Sequence, residues 1–95
     1  MNQLNSLILE GSVENPIRKE YGFMFGIVVE RLFINANSEA ETEVYHFEVE
    51  TYGSLADYCE INCKQGNVVR LVGRLKQVEN RVFIVAEHVD IQSKK

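Results

Sequence analysis

Tryptophan is absent from this chain, proline occurs once, and cysteine, histidine and methionine occur twice each. With Pro16 alone and no biased run, nothing reads as a Pro-rich linker or low-complexity segment, and no internal repeat divides the chain. Cys59 and Cys63 stand four apart, without a CxxC spacing and without the further ligands that zinc needs, and His46 and His88 repeat no ligand spacing. A redox pair or half of a metal site is the functional alternative; the plainer reading is two reduced thiols serving as small apolar side chains. No metal and no cofactor is expected. There is no glycine-rich phosphate loop, no GxSxG and no pair of carboxylates at a strand end, so no catalytic residues stand out and an enzyme is not expected. No apolar run approaches the roughly 20 residues of a membrane span. The start "MNQLNSLILEG" lacks both the basic segment and the small-residue cleavage site of a secretory signal. A cytoplasmic location without membrane contact is therefore expected.

What is present is an ordinary globular composition, 45% hydrophobic and 25% charged, in 95 residues with a formal net charge of −4. A single domain of this size buries only roughly 60% of its unfolded surface, so a partner subunit would help it. The domain is expected to occupy residues 1–92, with a short tail at 93–95.

Periodicity supplies the elements. "LNSLILEGSV" alternates, Leu7 and Leu9 against Ser6, Ile8 and Glu10, and is expected to stop at "ENP", because Pro16 cannot donate to a sheet ladder. "FMFGIVVERLF" is rich in β-branched and aromatic residues, and Gly26 at its middle predicts a bulge or sharp coil. "INANSEAETE" reads as an exposed loop, and "VYHFEVETY" sets Tyr45, Phe47, Val49 and Thr51 against His46, Glu48, Glu50 and Tyr52.

After the Gly53-Ser54 break a helix of about three turns is expected, with Ser54 as N-cap and Asp57 in the place of a capping-box acid. Leu55, Tyr58, Cys59 and Asn62 share one face, and Gly66 in "KQGN" is available as a left-handed C-cap. "VVRLVGRLKQV" and "RVFIVAEHVDI" form two more strands around a tight turn at Glu79-Asn80. The order β-β-β-α-β-β predicts an all-β protein with one helix: the OB-fold, a five-stranded, partly open Greek-key barrel whose end the helix plugs. Gly26 and Gly73 suit its coiling.

With that order in place, "MNQLNSLILEGSV", "YGSLADYCEINCKQGNVVRLVGRLK" and "VAEHVDI" resemble the bacterial single-stranded DNA-binding protein family over nearly the whole chain. The family shows an N-terminal "MNxxxLxGxL", an aromatic-Gly-Lys-Leu-Ala-Glu turn into the helix, and a "V-x-G-x-L" fourth strand. "NPIRK" is similar to the loop after strand one in primosomal replication protein N (PriB), a tail-less relative. The resemblance implies single-stranded DNA binding in replication, recombination or repair, in a bacterial cytoplasm beside the nucleoid. It also implies a homo-oligomer, dimer or tetramer, and replication proteins as partners. A protein-interaction adaptor of the PriB kind, with weak or lost DNA binding, is the alternative.

Carried over by position, the resemblance implies base stacking on Tyr52 and Phe33, and a nucleic-acid contact at His46, where the family often has tryptophan or phenylalanine. It implies phosphate contacts from Arg18, Lys64 and Lys76. Arg70 and Arg74 join Lys76 on one face of strand four by alternation and are assigned to phosphates with it. Tyr52 could instead cover the barrel mouth, Phe33 could belong to the core, and the strand-four cations could be a solvated face. The chain departs from the family in three ways. Glu48 and Glu50 share the face of Tyr52, where carboxylates repel phosphate. The last hairpin turns almost at once, where the family has a long basic, aromatic arm. The acidic tail tip is missing after "VDIQSKK".

Overall fold

Five strands and one helix follow one another in the expected order: β1 (Leu7–Lys19), β2 (Gly22–Ile34), β3 (Ala40–Thr51), α1 (Gly53–Asn62), β4 (Val68–Val78) and β5 (Arg81–Ile91). The computed structural model describes residues 3–92, and the expected tail at 93–95 lies outside the described residues. The strands close into a barrel in the order β1-β2-β3-β5-β4, antiparallel throughout except for the parallel pair β3 and β5. This is the OB-fold.

Closure rests on β1. Residues Leu7 to Ser12 pair with β4, and Ser12 to Lys19 pair with β2. β1 gives each neighbour a different half and bends at the changeover, where Gly11 sits beside Ser12. A Cβ there would stand 2.3 Å from the Val28 carbonyl oxygen, so only glycine permits the approach.

The first strand does not stop at Pro16. It continues through a β-bulge: Glu14 pairs with Gly26 and Ile17 with Met24, leaving Asn15 and Pro16 opposite Phe25 alone. Pro16 is tolerated because a bulge is where a missing donor does no harm, and Asn15 takes a left-handed φ of 52°. The bulge expected at Gly26 therefore lies across from it, on β1, while Gly26 itself pairs regularly with Glu14 and with Glu48. Past the bulge the alternation reverses: Ile17 and Lys19 turn to the outer face, and Arg18 turns toward the end of the barrel that the helix closes.

The barrel is filled from every strand. Val13, Phe23, Phe25, Ile27, Val49, Val69, Leu71, Ile84, Ala86 and Val89 are buried, and Ala56, Cys59 and Cys63 of the helix region cap them from one end. The cysteines are free thiols in that plug. Their mutual hydrogen bond, and then burial, push the Cys59 thiol well above its ordinary range, which keeps it protonated and apolar in character.

The helix begins differently from expectation. Tyr52 is the N-cap, no side chain caps the first turn, and Asp57 reaches Arg18 instead of a backbone amide. The cause is Gly53, whose left-handed φ of 64° turns the chain into the helix two residues early, so Ser54 falls inside the first turn. At the other end Cys63, not Gly66, is the C-cap. Gly66 is left-handed, φ 85°, within the Lys64–Asn67 turn, and its amide donates to the Val13 carbonyl at 2.8 Å. None of the described helices is long and apolar enough to cross a membrane.

Leu71 is fully buried on β4 between its two neighbours, opposite Leu9 and Val89. Leu71→Ala is expected to lower unfolding stability by about 2–5 kcal/mol. A urea titration would show this as a lower midpoint with an unchanged slope.

Candidate nucleic-acid interface

The alternation that buries Val49 and Thr51 turns His46, Glu48, Glu50 and Tyr52 to the outer face of β3. Their partners on β2 are Val28, Gly26 and Met24, with Glu50 opposite Met24 and Glu48 opposite Gly26. On one side the β1 bulge brings up Glu14, Asn15, Ile17 and Lys19; on the other, β5 brings Arg81 and Phe83. Together they enclose a groove of about 540 Å³ running across the outer face. Gly26 keeps its floor low, because any Cβ there would meet Glu14 Cγ at 2.9 Å.

The three acids around the groove, Glu14, Glu48 and Glu50, are each matched by a cation or a ring nitrogen. Glu14 Oε2 lies 2.8 Å from His46 Nδ1, Glu48 Oε1 accepts from Arg81 at 2.7 Å, and Glu50 Oε1 accepts from Lys76 Nζ at 3.1 Å. The repulsion expected from Glu48 and Glu50 is therefore largely met within the protein, although neither residue leaves the face. Arg81 also lies over the Phe83 ring, 4.9 Å from its centroid.

Tyr52 stands beside the groove. Its hydroxyl donates to Glu50 Oε1 at 2.7 Å, and the residue remains 41% exposed. That hydrogen bond, followed by burial, raises the phenol above its usual value, and the hydrogen bond to Glu50 likewise raises Lys76.

Of the residues expected at the site, the structure brings His46, Tyr52 and Lys76 together on this face. Arg74 lies two residues before Lys76 on β4 and contacts Glu87 at 3.6 Å. Arg70 is farther along the same face of β4, paired with Glu10 at 3.1 Å. Phe33 belongs to the opposite face of β2, near the end of the β2–β3 hairpin, with Arg31 stacked 5.2 Å from its ring centroid. Arg18 is held against the helix by Asp57 and Glu60 at 3.3 and 3.2 Å. Lys64, beyond the helix, donates to the Glu60 carbonyl at 3.3 Å.

Sequence reasoning missed Lys19, Met24, Arg81 and Phe83. Lys19 was hidden by the bulge, which exchanges it for Arg18. Arg81 and Phe83 were legible in principle, since they alternate against the buried Ile84, but a hairpin this short gave no reason to look there. The turn is tight, with Glu79 left-handed at φ 55°, yet the first residues of β5 still reach the groove.

No family model and no curated protein matches the chain. Solved structures do. A deletion mutant of the single-stranded DNA binding protein from Thermus aquaticus superposes with a TM-score of 0.80 at 17% identity, over 95% of this chain and 51% of the other. The chain thus spans about half the length of that protein. The Plasmodium falciparum SSB in complex with ssDNA gives a TM-score of 0.80 at 13% identity, covering 98% of each chain. The small single-stranded DNA-binding protein from Streptomyces coelicolor gives 0.74 at 18% identity, over 97% and 95%. At these identities the likeness establishes the fold: the chain is built on the OB barrel that these single-stranded DNA-binding proteins share.

The Tyr52–Glu50–Lys76 cluster has a consequence for alkaline stability. Both raised groups are stabilised in their protonated forms, so their contribution is complete below their unfolded values and disappears as pH rises through the folded ones. Unfolding free energy from urea titrations is expected to fall as pH is taken from about 9 to about 12. Tyr52→Phe should make that fall shallower; an unchanged fall would mean that the hydroxyl takes no part. Tyr45, raised by its bond to Glu43, shifts in the same direction and accounts for part of what remains.

Proposed function

We propose that the protein binds single-stranded DNA without catalysis, laying the strand along the outer face of β2 and β3. The observation that carries this reading is the groove itself: an open ring at its margin, cations on both walls and an apolar patch of Met24 and Phe83, in a barrel shared with single-stranded DNA-binding proteins. Tyr52 takes a base by stacking, with His46 and Phe83 as further surfaces inside the groove. Lys19, Lys76 and Arg81 hold phosphates, and Arg74 and Arg70 extend the path along β4. Phe33 offers a ring to a longer strand that wraps past the β2–β3 hairpin, while Arg18 and Lys64 serve at the helix end. Such a protein acts in DNA replication, recombination or repair, beside the bacterial nucleoid.

Charge sets the character of the binding. Among the described residues every cation named except Lys19 already has an acceptor, so at those cations phosphate must displace a carboxylate or a carbonyl oxygen rather than fill an empty site. Affinity should therefore owe much to stacking, with a salt dependence set by the number of phosphates contacted.

We also propose a homo-oligomer, at least a dimer. Over Leu7–Glu10, β1 pairs with β4 alone, and Ile8 on its outer face is 69% exposed. An edge and an apolar side chain of this kind are what a second copy would cover. Static light scattering at tens of micromolar is expected to give a mass of two or more chains, and a monomer there would refute the assembly.

Fluorescence anisotropy with labelled oligo-dT tests the DNA reading. Tyr52→Ala is expected to weaken binding by about 1–3 kcal/mol, the worth of one stacked base, with the fold intact by circular dichroism and the salt slope nearly unchanged. Lys19→Ala should instead reduce the slope of log affinity against log salt by about 0.7, one single-strand phosphate. Wild-type affinity in both variants would overturn this path for the strand, and a wild-type protein that does not bind oligo-dT would favour the adaptor over the DNA-binding protein.

A further inference from the structure

We propose that Glu50 is a positioning residue: together with Gly22 it holds the Tyr52 ring and the Lys76 ammonium as one preformed nucleotide subsite, ring for the base and ammonium for its phosphate. This rests on the single-strand-binding reading above and reverses what its charge alone suggests for Glu50.

Three features carry it. First, one carboxylate oxygen, Glu50 Oε1, takes both the Tyr52 hydroxyl at 2.7 Å and Lys76 Nζ at 3.1 Å. A ring and a cation that share an acceptor are held at a set separation. Second, the Glu50 side chain is only 15% exposed, the most covered carboxylate of the ion pairs among the described residues. Glu48, its neighbour on the same face, is 60% exposed, pairs only with an exposed Arg81 and holds no ring. Exposed pairs of that kind contribute little, whereas a covered acceptor with two donors is expensive to vacate.

Third, the ring is seated along one edge. A Cβ on Gly22 would come 3.0 and 3.2 Å from Tyr52 Cδ1 and Cε1, and 2.4 Å from the Thr51 carbonyl oxygen. Gly22 is buried beneath the ring, so the bare backbone is its seat. Seated along one edge and tethered by its hydroxyl, Tyr52 keeps part of its surface open to solvent and has little rotamer freedom left to lose. Binding to a group already ordered avoids the loss that ordering a free side chain would impose. Negative charge at Glu50 repels phosphate, but the same charge is what keeps both partners in place.

Oligo-dT anisotropy at low salt separates the two effects. Glu48→Gln, which only removes repulsion, is expected to tighten binding. Glu50→Gln is expected to weaken it by about threefold to tenfold although it removes the same charge, because a neutral amide oxygen holds the hydroxyl and the ammonium less firmly than a carboxylate does. Tyr52→Phe should weaken it by a comparable factor, and the double variant should be no worse than the weaker single, since both break one tether.

A readout without DNA accompanies these. The Cζ resonance of Tyr52 in carbon NMR should titrate later than an ordinary tyrosine in the wild type and return to the ordinary range in Glu50→Gln. Glu50→Gln tightening binding as Glu48→Gln does, or an additive double variant, would overturn the subsite while leaving the DNA reading in place. An unchanged Cζ titration in Glu50→Gln would overturn the tether directly. A wild-type protein that does not bind oligo-dT would overturn the function, and the subsite with it, whatever the NMR shows.

Discussion

The double pairing of β1 is the constraint on which everything else depends. A strand that hydrogen-bonds β4 with its first half and β2 with its second closes a five-stranded sheet that would otherwise present two raw edges. The bend requires a residue without a side chain at Gly11, where the Val28 carbonyl comes within van der Waals reach of the backbone. Closure brings β5 beside β3 in the one parallel pairing of the barrel, and so sets Arg81 and Phe83 across from Glu48 and Glu50. The groove is thus a product of closure: its two walls come from the ends of the chain that β1 ties together.

The second half of β1 completes the other wall. Because the bulge at Asn15–Pro16 reverses the alternation, Lys19 faces the groove and Arg18 faces the helix, where Asp57 and Glu60 take its charge. The Gln65 side chain accepts from the Asn15 amide at 2.9 Å, and the Gly66 amide donates to Val13, so the turn after the helix holds the bulge in place. Helix, turn and bulge form one mechanical unit, and the thiols of Cys59 and Cys63 serve it as packing.

Net charge says little about what this face can bind. The chain is acidic overall, yet around the groove Glu14, Glu48 and Glu50 are each set against a cation or an imidazole. Ion pairs this exposed are weak in water, so a polyanion can exchange with them at modest loss. They also keep long lysine and arginine side chains extended over the groove. Glu50 differs from the others in being covered, which is why its removal and that of Glu48 need not have the same sign.

Local pattern was enough to place the elements. Alternation, the Gly53 break and the short Glu79-Asn80 turn placed every strand and the helix in order, because burial on one side of a strand writes a period of two into the sequence. The same alternation placed Glu48, Glu50 and Tyr52 on one face, as the structure has them. What alternation cannot register is a bulge, since one inserted residue leaves the composition unchanged while exchanging the faces of all that follow; Arg18 and Lys19 traded places for that reason. Nor can it tell which faces of separate strands meet. That Glu14 reaches His46, that Arg81 crosses to Glu48, and that Lys76 and Tyr52 converge on one oxygen of Glu50 are consequences of closure, made between residues as many as 33 apart in sequence. The sequence by itself determined the barrel and its one helix, since these follow from which side chains must leave water; tertiary structure alone decided the groove, because its charges find partners only when strands from both ends of the chain are brought side by side.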